Sequence, residues 1–143
     1  MTVSPAISEL FVDGNLATLA TIKRDGRPQL SNVNYHFDPE TELVRASVVD
    51  GRAKVANLRR DPRASLLVNG SGGWTYGVLE GDAEFSDVAR ATDDAAVEEL
   101  IDVFRAVAGK EHPDWDEYRE AMVADQRLVL RIKVTHGYGL PAR

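Results

Sequence analysis

Apolar residues switch between a helical and a strand period along the chain, and each switch predicts an element. Ser4-Pro5 opens a helical pattern that puts Ile7, Leu10 and Phe11 on one side, with Ser4 as N-cap, Pro5 in the first turn and Gly14 as the stop. Asn15 to Lys23 reads as a strand, Asp25-Gly26 as a hairpin turn and Pro28 to Phe37 as the returning strand. Asp38-Pro39 turns the chain into a third strand, Glu42 to Val49, with β-branched Val44, Val48 and Val49. A short helix follows through Ala53, Val55, Ala56 and Leu58, with Asp50 near its N-cap and Asp61-Pro62 ending it.

Ala64 to Val68 is the next expected strand, Asn69 to Gly73 a Gly/Ser-rich turn, and Trp74 to Phe85 a longer strand. Gly77 and Gly81 within it suggest bulges or close approach by another group. Val97, Leu100, Ile101, Phe104, Val107 and Ala108 recur at helical spacing after Asp93, and Gly109 closes that helix. Asp114 caps a further helix through Tyr118 and Met122. Arg127 to His136 then alternates, with Leu128, Leu130, Ile132 and Val134 on one face and basic residues on the other. Six strands contiguous in sequence, plus short helices, predict a mainly β fold: a small antiparallel barrel with helices at its edge rather than a doubly wound sheet. No repeat, low-complexity segment or linker divides residues 1–143, so one domain is expected.

Composition narrows the chemistry. The 143 residues carry no cysteine and three histidines, which excludes thiol nucleophiles and thiolate metal sites and leaves little for zinc; no metal is expected. No long apolar run or basic-plus-apolar leader is present, so a cytoplasmic protein that engages no membrane is expected. The net charge of −6 argues against nucleic acid as a partner. Its distribution matters more. Residues 52–63 carry a net +4 through Arg52, Lys54, Arg59, Arg60 and Arg63, whereas Glu84 to Asp125 carries −9, as solvated helix faces do.

A helix N-terminus flanked by Arg52 and Lys54 suits a phosphate, because free N–H groups, the macrodipole and two cations add there. The same cations also fit a solvated surface helix. Alternation sends Gln29 and Ser31 to one face of their strand and Asn32 and Asn34 to the other. Their amides and hydroxyls can read a ring edge bearing both carbonyl and N–H groups, or simply wet an edge strand. Trp74 and Tyr76, two apart on one strand face, can cover a planar ligand, or serve as core or as a subunit interface. None of the histidines has a partner at metal-ligand or triad spacing; His136, at an expected strand exit before Gly137, is the one placed to reach a ligand. No nucleophile or acid/base pair emerges and the catalytic residues stay unassigned, which points to a cofactor carrying its own chemistry.

The string from Leu19 to Asn32, with Arg52-Ala-Lys54 and Asn57-Leu-Arg-Arg-Asp-Pro-Arg63, resembles the pyridoxamine 5′-phosphate oxidase-like split β-barrel family. Trp74-Thr-Tyr76 through Glu80-Gly81, Asp114 to Tyr118 and His136 to Pro141 resemble its deazaflavin branch, which uses coenzyme F420 rather than FMN. The resemblance implies a homodimer of six-stranded, FMN-binding-type split barrels with cofactors in grooves between subunits. It places the cofactor phosphate near Arg52, Lys54 and Asn57, Ser47 beside the cofactor, and Gln29, Ser31 and Asn32 near the ring, with Trp74 and Tyr76 from the groove wall. The implied activity is F420-dependent hydride transfer to a small organic substrate. An FMN enzyme of the pyridoxamine-phosphate-oxidase type and a non-catalytic F420 carrier are the alternatives.

Overall fold

The computed structural model describes residues 2–141; Met1, Ala142 and Arg143, the ends of the expected 1–143 unit, lie outside the described residues. Helix α1 (Pro5–Asp13) starts as the capping pattern requires, with the Ser4 hydroxyl accepting from the Ile7 amide. Strands β1 (Leu16–Ile22) and β2 (Pro28–Asn34) form the expected hairpin, followed by β3 (His36–Asp38) and β4 (Leu43–Val49). Helix α2 (Ala53–Arg60) leads to β5 (Arg63–Asn69) and β6 (Tyr76–Phe85). Helices α3 (Ala95–Ala108) and α4 (Trp115–Ala124) precede β7 (Arg127–Leu140). The caps of these last two helices follow the local chemistry: the Asp94 and Asp114 carboxylates accept first-turn amides, and Gly109 takes the left-handed conformation.

The sheet has seven strands, not six, in the order β2-β1-β5-β6-β7-β4-β3, with every pairing antiparallel. The extra strand comes from a break in the expected Pro28–Phe37 strand. The chain pairs with β1 as far as Asn34 and with β4 from His36, so two consecutive segments form the two opposite edges of the sheet. That connection curls the sheet into a half-barrel. Tyr35 occupies the break: it is fully buried, its amide donates to the Asn15 carbonyl at 3.0 Å, and its hydroxyl donates to the Phe11 carbonyl at 2.7 Å. Burial, with the Asp13 charge nearby, pushes that phenol far above its ordinary pKa, so it remains a neutral donor at any working pH.

Inside the curl, Leu19, Leu66, Leu79, Leu128, Leu130 and Ile132 are fully buried, and α1 closes one end with Ile7 and Phe11. A second cluster gathers Val97, Leu100 and Ile101 of α3 with Tyr118 and Met122 of α4 against Val129. Glu99 of α3 anchors this helical layer by accepting from Arg131 on β7, at 2.8 Å from Nε and in a second contact from Nη2, with Arg45 of β4 at 3.7 Å. These guanidiniums hold the Glu99 carboxyl below its usual pKa. No helix among the described residues is long and apolar enough to cross a membrane.

Three further expectations need correction. Arg52, not Asp50, stands at the N-cap of α2, because Asp50-Gly51 forms the turn out of β4 (Gly51 φ +84°), and no side chain caps the helix. Strand β6 begins at Tyr76, so Trp74 belongs to the glycine turn and is 72% exposed. His136 does not end the last strand, since pairing with β6 carries β7 on to Leu140.

The glycines of β6 behave as their position suggests. Gly77 packs against Phe11 and Leu10, and a bulge falls at Glu80/Gly81. A Cβ on Gly81 would meet the Lys133 carbonyl oxygen at 2.2 Å, a backbone contact that no rotamer can relieve. Gly81→Ala is therefore expected to lower stability by about 2 kcal/mol or more, the scale of a forced core overpacking. Urea unfolding of the two proteins checks this, and equal midpoints would show that the bulge can open.

Candidate functional site

The edge made by β2 and the turn leaving β4 borders a cleft of about 800 Å³. Three kinds of surface meet in it. Strand β2 contributes Gln29, Ser31, Asn32 and Asn34, and β4 contributes Ser47. Because β2 is a free edge of the sheet, residues from both of its faces border the opening, so the pairs that alternation separates share one cavity. The first turn of α2 adds Arg52 and Lys54, and the start of β7 adds Arg127. The third surface is an apolar wall: Val103, Phe104 and Val107 of α3, with Tyr118 and Met122 of α4.

The apolar wall is held rigidly. Phe104 makes edge contacts with His112, Trp115 and Tyr118 at ring-centroid distances of 5.2 to 5.6 Å. Tyr118 donates its hydroxyl to the Leu100 carbonyl at 3.0 Å, and burial pushes its pKa up to about 12. That hydroxyl is thus neutral and already used, so this wall offers a ligand contact area rather than protons.

The cationic wall is unbalanced. Among the described residues neither Arg52 nor Lys54 has a carboxylate within 4 Å, and the α2 N-terminus beside them is uncapped. Desolvation first, then the Arg52 and Arg127 charges, push the Lys54 pKa below that of an ordinary lysine. Cations gathered in this way repel one another, and an anion is the chemical group that would offset them.

The expected site residues divide into three groups. Gln29, Ser31, Asn32, Ser47, Arg52 and Lys54 come together in this cleft. Asn57 sits behind it, buried, with its amide nitrogen donating to Thr21 Oγ1 at 3.1 Å and Gln29 Oε1 at 3.0 Å, so it ties α2 to the β1–β2 hairpin and orients Gln29. Trp74, Tyr76 and His136 do not line the cleft; Tyr76 and His136 lie on β6 and β7, where His136 stacks on Tyr138. Sequence reasoning missed Arg127 and the α3–α4 wall. The basic face of the last strand was the available signal for the arginine. Nothing local marks which strand end meets α2.

A second, smaller cleft adjoins the first, since Gln29 and Ala53 border both. Lys23, Arg24, Arg59 and Arg60 line it, and its volume is about 680 Å³. Arg60 donates to the Ile22 carbonyl at 2.7 Å and to Asn57 Oδ1 at 3.1 Å, which fixes its orientation. Lys23 lies 3.7 Å from Asp25 and Arg59 3.8 Å from Asp50, both looser than the 2.8 Å contact of Arg63 with Asp61.

Comparison with known proteins decides the family, because residues 3–140 match pyridoxamine 5′-phosphate oxidase. The chain belongs to that family. Among solved structures, the conserved hypothetical protein Rv2991 from Mycobacterium tuberculosis is 25% identical with a TM-score of 0.73, over 96% of this chain and 84% of that one. A protein named F420 reductase is 22% identical with a TM-score of 0.69, over 95% and 98%. A heme binding protein from Mycobacterium smegmatis is 23% identical with a TM-score of 0.66, over 99% of this chain and 56% of that one. The same fold thus occurs in proteins with differently named ligands.

The repulsion around Lys54 makes a stability prediction. The unfolded chain holds the Lys54 proton more tightly than the folded one, so charged Lys54 costs stability below its lowered pKa. That cost is relieved as pH rises through the window between the lowered value and the ordinary one near 10.4. Lys54→Gln is expected to melt higher than the wild type near neutral pH in the absence of ligand, with the gap narrowing on the alkaline side. Thermal unfolding across pH measures it; a variant that melts lower at neutral pH would mean that Lys54 is paired rather than repelled.

Proposed function

We propose that this protein is a coenzyme F420-dependent oxidoreductase that transfers hydride to a small organic substrate. The observation that carries the reading is one cleft in which Arg52 and Lys54, with no carboxylate partner among the described residues, flank a helix start that no side chain caps, and whose lining also holds Gln29, Ser31, Ser47 and an apolar wall. An anionic stem, a hydrogen-bonding ring edge and a flat apolar ring face would each find a matching surface there. Bound in the cleft, the deazaflavin ring would supply the hydride chemistry. The protein's part is to hold the phosphate at Arg52 and Lys54, orient Gln29 through Asn57, and keep water from the ring with Phe104, Val107 and Met122.

The choice of F420 over FMN draws support from the second cleft. The F420 phosphodiester continues into a lactyl-oligoglutamate tail, and Lys23, Arg24, Arg59 and Arg60 line a cavity contiguous with the phosphate position. The likeness in fold to a protein named F420 reductase agrees. FMN is the second reading, favoured by membership of the pyridoxamine 5′-phosphate oxidase family; a carrier that binds F420 without turnover is the third.

Dissociation constants for F420 and FMN on the same purified protein test the choice, with F420 expected to bind more tightly. Lys54→Ala should weaken F420 binding by about 1.5–3 kcal/mol, roughly 10- to 150-fold, the scale of a hydrogen bond to a charged group. No absorbance or fluorescence change on adding F420 would end the proposal, and binding without reduction of any acceptor would favour the carrier.

The active unit in this reading is a homodimer. Trp74, Tyr76 and His136 stand away from the cleft of their own chain, so they reach a cofactor only if a second copy supplies them. Trp74, Tyr138 and Leu140, along with Leu16 and Leu30, leave large apolar side chains exposed for such a contact. Sedimentation is expected to give twice the 15.7 kDa chain mass, and a monomer at micromolar concentration would remove the shared groove.

A further inference from the structure

Arg127 is the first residue of β7 and lines the same cleft as Arg52 and Lys54. It arrives there through the sheet. Val49, at the end of β4, pairs with Arg127, and the Asp50 amide donates to the Gln126 carbonyl at 2.9 Å. The start of β7 therefore lies against the turn that leads into α2, and cations from two distant chain segments converge on one cavity.

The Arg127 side chain is poorly satisfied where it sits. Its Nε is buried and has no hydrogen-bond partner among the described residues. Its contact with the Asp125 carboxylate is long, at 3.9 Å, and Nη1 lies 3.5 Å from both the carbonyl oxygen and the hydroxyl of Ser47, the outer limit of a hydrogen bond. A guanidinium offers five donors in a rigid planar fork, and a buried donor without an acceptor is uncommon in a finished structure. Burial first, and then the nearby Arg52 and Arg127 charges, push the Lys54 pKa below that of an ordinary lysine, in keeping with cations that face one another.

We propose that Arg127 is a third ligand for the anionic group of the cofactor, its fork engaging phosphate oxygens while Arg52 and Lys54 flank them. The inference rests on the cleft being the cofactor's phosphate site and holds for a phosphorylated flavin as well as for a deazaflavin. A fork can take two oxygens of one phosphate, whereas a lysine acts as a point charge, so Arg127 also sets the orientation of the group.

The test separates phosphate recognition from ring recognition. Fluorescence titrations of wild type, Arg127→Gln and Arg127→Lys use F420 and FMN, each beside its counterpart lacking the phosphate: the dephosphorylated deazaflavin and riboflavin. Arg127→Gln is expected to weaken the better-bound phosphorylated ligand at least 10-fold and leave its counterpart unchanged, with Arg127→Lys recovering part of the loss. Equal affinity for the phosphorylated ligand in wild type and Arg127→Gln would overturn the assignment, as would an equal loss for both members of a pair. A wild type that prefers neither phosphorylated ligand to its counterpart would overturn it too. Should Arg127→Gln fail to fold, Arg127→Lys decides: losing the fork should cost several-fold for the phosphorylated ligand alone, and no loss rejects the role. If FMN binds and F420 does not, yet binding depends on Arg127 in this way, the F420 reading falls while the third ligand stands.

Discussion

Tyr35 joins the two edges of the sheet. Its backbone lies where the chain leaves β1 for β4, its amide is bonded to Asn15, and its hydroxyl is bonded to the Phe11 carbonyl at the end of α1. With that side chain buried among Phe11 and Phe37, the sheet cannot flatten without exposing three aromatic rings. The curl brings the outer edge of β2 toward β4, as the contacts between those strands record. Gln29 and Ser31 come to share a cavity with Ser47 for that reason alone, since the sheet order separates β2 and β4 by four strands.

Around this closed edge the molecule assembles a surface it does not itself neutralise. Most arginines elsewhere are answered: Arg131 by Glu99, Arg105 by Glu111, Arg119 by Glu98, Arg63 by Asp61. Arg52, Lys54 and Arg127 converge with only the distant Asp125 contact among the described residues. A chain with six more acids than bases has carboxylates to spare, so the local excess reflects placement rather than composition. Solvent screens exposed charges well, but it does so less in a half-enclosed cleft, which is where the unanswered ones lie.

Much of this was legible in the linear order of residues, and the gaps have definite causes. Capping chemistry is local, so Ser4, Gly109 and Asp114 could be read at their helix ends, whereas the cap of α3 is Asp94 and not the neighbouring Asp93 from which the helical spacing was counted. The glycines of β6 announced a close approach, and Gly81 has one. The basic segment marked Arg52 and Lys54. The break at Tyr35 escaped because both halves of the expected strand really are strands with the right alternation; only their partners differ, and partnership is not encoded in period. The family resemblance set Asn57 near the phosphate; its side chain is turned inward to Thr21 and Gln29 and borders the smaller cleft rather than the larger one, a placement that depends on how α2 packs on the β1–β2 hairpin.

Local pattern by itself determined that this chain is mainly β with short helices and that it holds a cation-rich helix start. Those properties depend on neighbours within a few positions. Tertiary structure decided which edge closes on which, that Arg127 joins Arg52 and Lys54 from more than seventy residues away, and that α3 and α4 furnish the apolar wall. Each of these is a meeting of segments far apart in the chain, settled by how strands pair and how a buried ring packs, and no window of sequence contains both members of such a meeting.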